Sequence, residues 1–216
     1  MNDRFWAERQ RMVDEQIWWR GVRDERVLAA ILDVPRHLFV PLPAREASYC
    51  DTPLAIGHGQ TISQPYIVAL MTSALELHGG ERVLEVGTGS GYQAAILAHL
   101  AREIHTVELL PQLAERAQRL LARLRLENVV VHLGDGSLGW KQAAPFDAII
   151  VTAAAPSVPA PLLAQLGDRG RLVIPVASGN GYQLLTLVRC QEGRTSEQVL
   201  ASVAFVPLRG QFGVKR

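Results

Sequence analysis

No hydrophobic run in this chain approaches the roughly 20 residues that a membrane span requires. The opening Met1-Asn2-Asp3-Arg4-Phe5-Trp6 leads into charged sequence and lacks the apolar stretch of a secretory signal, so a cytoplasmic location is expected. Only two cysteines occur, Cys50 and Cys190, far apart and in no metal or redox motif. Unpaired thiols in a reducing compartment are expected, with a structural disulfide as the alternative. The six histidines, His37, His58, His78, His99, His105 and His132, show no catalytic or metal-ligand grouping, and no metal is expected. Aromatic residues make up 6%, and Lys+Arg 22 against Asp+Glu 21 leaves a net charge of +1. That balance provides no single-sign field for bulk nucleic-acid or membrane-surface binding.

What the chain does have is apolar content, 48% of 216 residues, enough for one substantial core and one domain, 1–216. Residues 1–80 read as a helical lead-in and active-site segment. The pattern Phe5, Met12, Val13, Gln16, Ile17 is imperfectly amphipathic up to Trp19, and Gly21 stops it. The adjacent Trp18 and Trp19 suggest no function. Asp24 can cap a second helix whose apolar face is Val27, Leu28, Ile31 and Leu32. Prolines 35, 41 and 43 predict an extended connection, and a helix is expected over Pro65–Leu77.

Residues 81–216 then alternate. Strands are predicted at Arg82–Val86, Ile104–Glu108, Val129–Leu133, Ala148–Thr152 and Arg171–Val176, with helices at Tyr92–Leu100, Gln112–Leu124 and Pro161–Leu166. Continuous apolar strands separated by helices predict an α/β fold with helices on both faces of a parallel sheet. Gln183–Arg189 and Gln198–Val206 read as a C-terminal antiparallel strand pair. Between them and the core, Gly179-Asn180-Gly181 is a turn whose Asn-Gly bond is prone to isoaspartate formation.

The stretch Val83-Leu84-Glu85-Val86-Gly87-Thr88-Gly89-Ser90-Gly91-Tyr92 is a buried strand entering a glycine-rich turn before an apolar helix. Such a turn lets a ligand approach the main chain, and the helix start offers unpaired N–H groups. The glycines fall at 87, 89 and 91, so Tyr92 stands where a dinucleotide fingerprint needs its third glycine. Glu85 is a poor neighbour for a pyrophosphate and suits a cationic or uncharged ligand. The acidic-x-Gly-x-Gly-x-Gly pattern resembles the first motif of S-adenosylmethionine (AdoMet)-dependent methyltransferases.

Two more acidic residues end the following strands. Glu108, 21 residues after Gly87, can accept both ribose hydroxyls or can simply face the helix start before Pro111. Asp135 in Gly134-Asp135-Gly136 can receive the adenine amino group, with the Gly136 N–H toward a ring nitrogen; the alternative is an ordinary Asp-Gly turn. Together the three strand ends point to an adenosine-containing ligand.

The segment Gly59-Gln60-Thr61-Ile62-Ser63-Gln64-Pro65-Tyr66, the glycine loop, Gly134-Asp135-Gly136, residues 145–154 and Phe205-Val206-Pro207-Leu208 closely resemble the protein-L-isoaspartate O-methyltransferases. Val34-Pro35-Arg36 and Phe39-Val40-Pro41 are similar to that family's lead-in. The resemblance implies a Rossmann-like AdoMet-dependent methyltransferase sandwich with N-terminal helical additions. It also implies methyl transfer from AdoMet to the α-carboxylate of L-isoaspartyl residues in damaged proteins, by a monomer. Ser63 matches the family's active-site serine; Ala55, Ile56, Val206, Pro207 and Leu208 match the segments that hold the substrate main chain. The AdoMet-binding set implied is Thr61, Ile62, Glu85, Gly87, Thr88, Gly89, Gly91, Glu108, Asp135 and Gly136. Ser137 departs from the bulky residue often found after that Gly-Asp-Gly.

Some local alternatives remain at this level. Ser63 precedes Pro65 and reads equally as a helix N-cap. Tyr92 is expected to cap the glycine loop sterically, His58 and Tyr66 to pack or lie at the surface, and Arg36 to make a surface or structural ion pair. Methylation of RNA, a small metabolite or ordinary aspartyl peptides, or noncatalytic AdoMet binding, are the competing functions. RNA is disfavoured by the even charge and few aromatics.

Overall fold

The computed structural model describes residues 4–179 and 181–214. Asn180, on which the Asn-Gly reading falls, and the basic pair Lys215 and Arg216 lie outside the described residues.

The lead-in helix changes pitch as it runs. An α-helix, α1 (Trp6–Arg11), passes into a π-helical stretch at Met12–Ile17 and a 3-10 turn at Trp18–Arg20, ended by Gly21 at φ +100°. Met12, Val13 and Ile17 of the π-helical stretch are all buried in the core. Helix α2 (Glu25–Asp33) begins where Asp24 accepts hydrogen bonds from the N–H groups of Arg26 and Val27. The proline-rich connection is less extended than expected: 3-10 turns occupy Arg36–Leu38 and Leu42–Ala47, because proline's fixed φ suits the start of a helical turn as well as an extended chain.

A small hairpin follows, β1 (Leu54–Gly57) and β2 (Gln60–Ile62), separate from the main sheet. Its loop residues His58 and Gly59 both have positive φ, +54° and +70°, the pattern of a type I′ turn. Helix α3 (Pro65–Ala74) comes next, shorter by one turn than the sequence suggests.

The core consists of β3 (Arg82–Val86), α4 (Tyr92–Ala98), β4 (Glu103–Glu108), α5 (Pro111–Arg123), β5 (Val129–Leu133), β6 (Phe146–Val151), α6 (Ala160–Leu163), β7 (Leu166–Ala177), β8 (Gln183–Gln191) and β9 (Arg194–Val203). The seven strands lie in the order β5-β4-β3-β6-β7-β8-β9; β5 through β7 are parallel, while β8 and β9 are antiparallel. Strands β3, β4 and β6 are buried on both faces; β3 and β6 accordingly read as largely apolar, while β4 buries the polar His105 and Thr106. In α5, Leu113, Ala114, Ala117, Leu120 and Leu121 form the buried stripe.

Other boundaries also differ from expectation: α4 ends at Ala98, β6 spans Phe146–Val151, β7 runs over Leu166–Ala177 and β8 continues to Gln191. The α6 segment is a single turn, because Leu166 already starts β7 by pairing with Phe146. The last strand ends at Val203 rather than Val206: Pro207 has no N–H to continue a ladder, and the chain instead lies beside Ala154. Cys50 and Cys190 are free thiols.

A polar cluster lies on the sheet near its β5 edge. His105 Nε2 meets Glu103 at 2.9 Å, His105 Nδ1 meets His132 Nε2 at 2.9 Å, and His132 stacks on Trp140 at 4.0 Å. Burial, then the neighbouring His105, lowers the pKa of His132 below its usual 6.5. At this site the folded chain therefore binds fewer protons than the unfolded one just below that value, and the His132 contribution to stability falls as pH drops through it. Measured from pH 7.5 down to 5, the urea midpoint of His132→Phe should therefore rise relative to that of the wild type. Identical profiles for the two proteins would count against this account.

Candidate functional site

The strand order reverses between β3 and β6, so the loops after β3, β4, β5 and β6 open around one crevice at the carboxyl end of the sheet. A cleft of about 920 Å³, including its open mouth, occupies that crevice. The loop after β3 forms its floor. Gly87 has φ +96°, and a Cβ there would stand 2.5 Å from Thr152 Oγ1. Only glycine allows the β6 end to come this close, and Thr152 uses the approach to donate to the Gly87 carbonyl at 2.6 Å.

Two carboxylates underlie the loop. Glu85 is fully buried, its Oε2 accepting from Thr106 Oγ1 at 2.5 Å, with Thr88 Oγ1 2.6 Å beyond. Its Oε1 has no partner. Burial, with the Glu108 charge adding to it and the Thr106 bond opposing it, pushes Glu85 up to about 8. Glu108 accepts from the Gly89 N–H at 2.8 Å and the Leu110 N–H at 3.0 Å. A carboxylate has about four acceptor positions, so those two bonds leave room for a diol.

The hairpin supplies the opposite wall. Gln60, Thr61, Ile62 and Ser63 line the cleft, facing the glycine loop. Ser63 is not the cap of α3: Gln64 occupies that position, and the Asp51 carboxylate satisfies the first turn by accepting from the Tyr66 N–H at 3.0 Å. Among the described residues the Ser63 hydroxyl hydrogen-bonds to nothing. Its carbonyl accepts from Arg36 at 2.7 Å. Arg36 is therefore neither at the surface nor in an ion pair, the expectation from sequence; it is 0% exposed and serves carbonyl groups, having no carboxylate in salt-bridge reach among the described residues.

Val206, Pro207 and Leu208 form the third wall. The Val206 carbonyl accepts from the Ala154 N–H and the Leu208 N–H donates to the Ala154 carbonyl, each at 2.8 Å. The Val206 N–H and the Pro207 carbonyl make no backbone hydrogen bond among the described residues.

Comparisons with known proteins give the family and the fold. The family model for protein-L-isoaspartate(D-aspartate) O-methyltransferase covers residues 7–213. The chain belongs to that family. It is 55% identical to the protein-L-isoaspartate O-methyltransferase of Methanoculleus marisnigri over 206 residues, 95% of this chain and 93% of that one. Identity to the Syntrophus aciditrophicus enzyme is 50% over 215 residues, 99% of each. The Plasmodium falciparum beta-aspartate methyltransferase, solved in complex with S-adenosyl-L-homocysteine (AdoHcy), superposes with a TM-score of 0.82 at 27% identity, over 93% of this chain and 98% of that one.

Within the family assignment, the residues read from sequence separate into two groups. Thr61, Ile62, Ser63, Glu85, Gly87, Thr88, Gly89, Glu108, Gly136, Val206, Pro207 and Leu208 share the cleft. Four others do not line it. Gly91, at φ +87°, is the cap position of α4 and packs on α5, where a Cβ would meet Ala117 at 3.3 Å. Asp135 turns its carboxylate to the Ser137 hydroxyl at 2.7 Å and to the Gln211 N–H at 2.7 Å, fastening the C-terminal turn. Ala55 is exposed, and Ile56 is buried with its Cδ1 3.5 Å from where a Gly89 Cβ would stand. Thr106 was missed, since an isolated threonine in a strand carries no motif, and Thr152, inside the 145–154 segment, was given no role of its own; the hairpin was missed too, though Gly57-His58-Gly59 is a turn signal.

The fit of an adenosine-containing ligand rests on the free acceptor positions of Glu108, while Glu85 is a buried carboxyl in the cleft wall with one oxygen unused among the described residues. Because its folded pKa lies above the unfolded 4.5, the folded state binds the extra proton between 4.5 and about 8, and stability is lost as pH rises through that window. Glu85→Gln mimics the neutral form. Without AdoMet or AdoHcy present, the variant should keep its urea midpoint from pH 6 to 9 while the wild type loses stability. A wild type as flat as the variant would show that Glu85 is already ionised at neutral pH.

Proposed function

We propose that the chain transfers the methyl group of AdoMet to the free α-carboxylate of L-isoaspartyl residues in damaged proteins. The observation that carries this reading is the uncommitted Ser63 hydroxyl, set across the cleft from the glycine loop in a chain of this family. AdoMet, when bound, supplies a methyl carbon attached to a cationic sulfur. The acceptor carboxylate, with an ordinary pKa of about 3.3–3.7, is already an anion at neutral pH and needs no general base. Its oxygen forms the new bond to carbon as the carbon–sulfur bond breaks and the electron pair stays on sulfur, giving a methyl ester and AdoHcy. Ser63 orients that carboxylate by donating a hydrogen bond. Glu108 holds the ribose hydroxyls with its remaining acceptor positions, and Gly89 keeps the carboxylate in place from its other side. The ester is a better leaving group than a carboxylate, so the following backbone nitrogen closes a succinimide, whose hydrolysis returns some normal aspartate.

Thr61, Ile62, Glu85, Gly87, Thr88 and Gly136 complete the cofactor wall on this reading. Val206–Leu208 meet the substrate through the Val206 N–H and Pro207 carbonyl. We read residues 1–216 as one domain acting as a monomer in the cytoplasm. The single-domain reading is supported by lead-in residues such as Met12 and Ile31, which share a core with the sheet. Among the described residues no helix is long and apolar enough to cross a membrane.

Glu108→Ala should weaken AdoHcy binding by about 1.5–3 kcal/mol, the scale of hydrogen bonds to a charged group. Calorimetry on the purified variant reads this directly, and an unchanged affinity would remove Glu108 from the ribose role. For the reaction itself, matched L-isoaspartyl and L-aspartyl peptides should be incubated with AdoMet and followed by mass spectrometry. Only the isoaspartyl peptide should gain a labile methyl ester and then yield succinimide and aspartate. Ser63→Ala should keep its unfolding temperature, since Gln64 holds the cap position, and lose roughly 10²-fold in turnover, as when a preorganised donor is removed. Preferential methylation of the aspartyl peptide would assign the chain to a different substrate.

A further inference from the structure

The β1–β2 hairpin forms a sheet of only two strands, hydrogen-bonded to no strand of the main sheet. Two-stranded hairpins are marginal by themselves, so something else must fix where this one stands. Ile56 and Ile62 pack into the core, and two arginines add bonds to main-chain oxygens. From α5, Arg116 donates Nη1 to the Ile56 carbonyl at 3.1 Å and Nη2 to the Phe39 carbonyl at 3.3 Å. From the turn after Pro35, Arg36 donates Nη2 to the Ser63 carbonyl at 2.7 Å and Nε to the Ser48 carbonyl at 2.7 Å. Its guanidinium also lies over the Tyr92 ring, 4.9 Å from the centroid, where α4 leaves the glycine loop. Each planar fork thus joins one end of the hairpin to a separate segment of the scaffold. An ammonium, as a point charge, lacks this geometry. Charge-assisted bonds of this kind are about twice as strong as neutral ones.

We propose that Arg36 and Arg116 are positioning residues that set the hairpin and the Ser63 turn over the glycine loop and thereby control the rate of methyl transfer. The proposal rests on the reading of Ser63 as the group that orients the acceptor. Neither arginine touches the reacting atoms. They act through two carbonyls, those of Ile56 and Ser63, which bracket the hairpin wall of the cleft. Because the Ile56 side chain packs toward Gly89, a shift of the hairpin also changes its spacing from the cofactor loop.

The test is a set of Arg116→Met, Arg116→Lys, Arg36→Met and Ser63→Ala variants with the corresponding double variants, assayed on an isoaspartyl peptide. AdoHcy affinity and unfolding temperature are measured on each. Arg116→Met should fold, lose far less in AdoHcy affinity than in turnover because most of the cofactor wall lies off the hairpin, and lose between about tenfold and 10²-fold in kcat, the scale of a misplacement near 1 Å. Arg116→Lys keeps the charge and should recover only part of that loss. In the Ser63→Ala background, Arg116→Met should cost far less than it does alone, because the group it positions is gone. Arg36→Met should behave likewise, and if it does not fold, the Arg116 variants decide. Wild-type kcat in Arg116→Met, or losses that simply multiply in the double variant, would overturn the proposal while leaving Ser63 in its role. Wild-type turnover in Ser63→Ala would remove the Ser63 reading and the proposal together.

Discussion

The lateral pairing of β6 with β3 is the constraint on which the site depends. The chain builds outward from β3 through β4 to β5, then crosses back to lay β6 on the other side of β3. That return brings Thr152 against Gly87 and leaves no volume for a side chain on the glycine. The loop after β3 is thereby held from below by Thr152 and from beside by Glu108, which bonds the Gly89 N–H. The third wall depends on the same return, since Ala154, just past β6, binds Val206 and Leu208.

Beneath that loop the polar groups form a short chain. Thr88 meets Thr106, and Thr106 donates to Glu85, so a carboxyl that burial would otherwise leave isolated has one oxygen satisfied and one not. An incompletely paired buried group costs free energy, and such groups are retained where a ligand uses them. The pair Glu85 and Glu108 also divides labour by environment: one lies in the dry wall of the cleft, the other braces main-chain N–H groups at its rim.

The inner strand Arg82–Val86 was legible because it is buried on both faces and runs into a turn signal, and the structure places it at the same bounds. Val129–Leu133 also keeps its bounds, read from its β-branched run although it is the half-exposed edge strand. The glycine spacing and the acidic residues at successive strand ends located the crevice. Legibility failed where geometry depends on distant partners. Asp51 satisfies the first turn of α3 from outside the helix, so proximity of Ser63 to Pro65 suggested a cap that does not form. Asp135 sits in the expected turn, but whether its carboxylate points to a ligand or to the Gln211 N–H is decided 76 residues later. Arg36 looked like a surface charge because charged residues are rarely buried without a carboxylate; main-chain oxygens replace one here.

The backbone at Val206–Leu208 has one edge taken up by Ala154 and one left over. On the proposed reading, a substrate lying there meets peptide groups on a single side, and nothing about that edge distinguishes one side chain from another. What it demands is that a stretch of the target be free to straighten. A lesion held inside an intact helix or sheet has its own peptide groups occupied and cannot present them. On that reading, a damaged site becomes accessible to the extent that its neighbourhood opens.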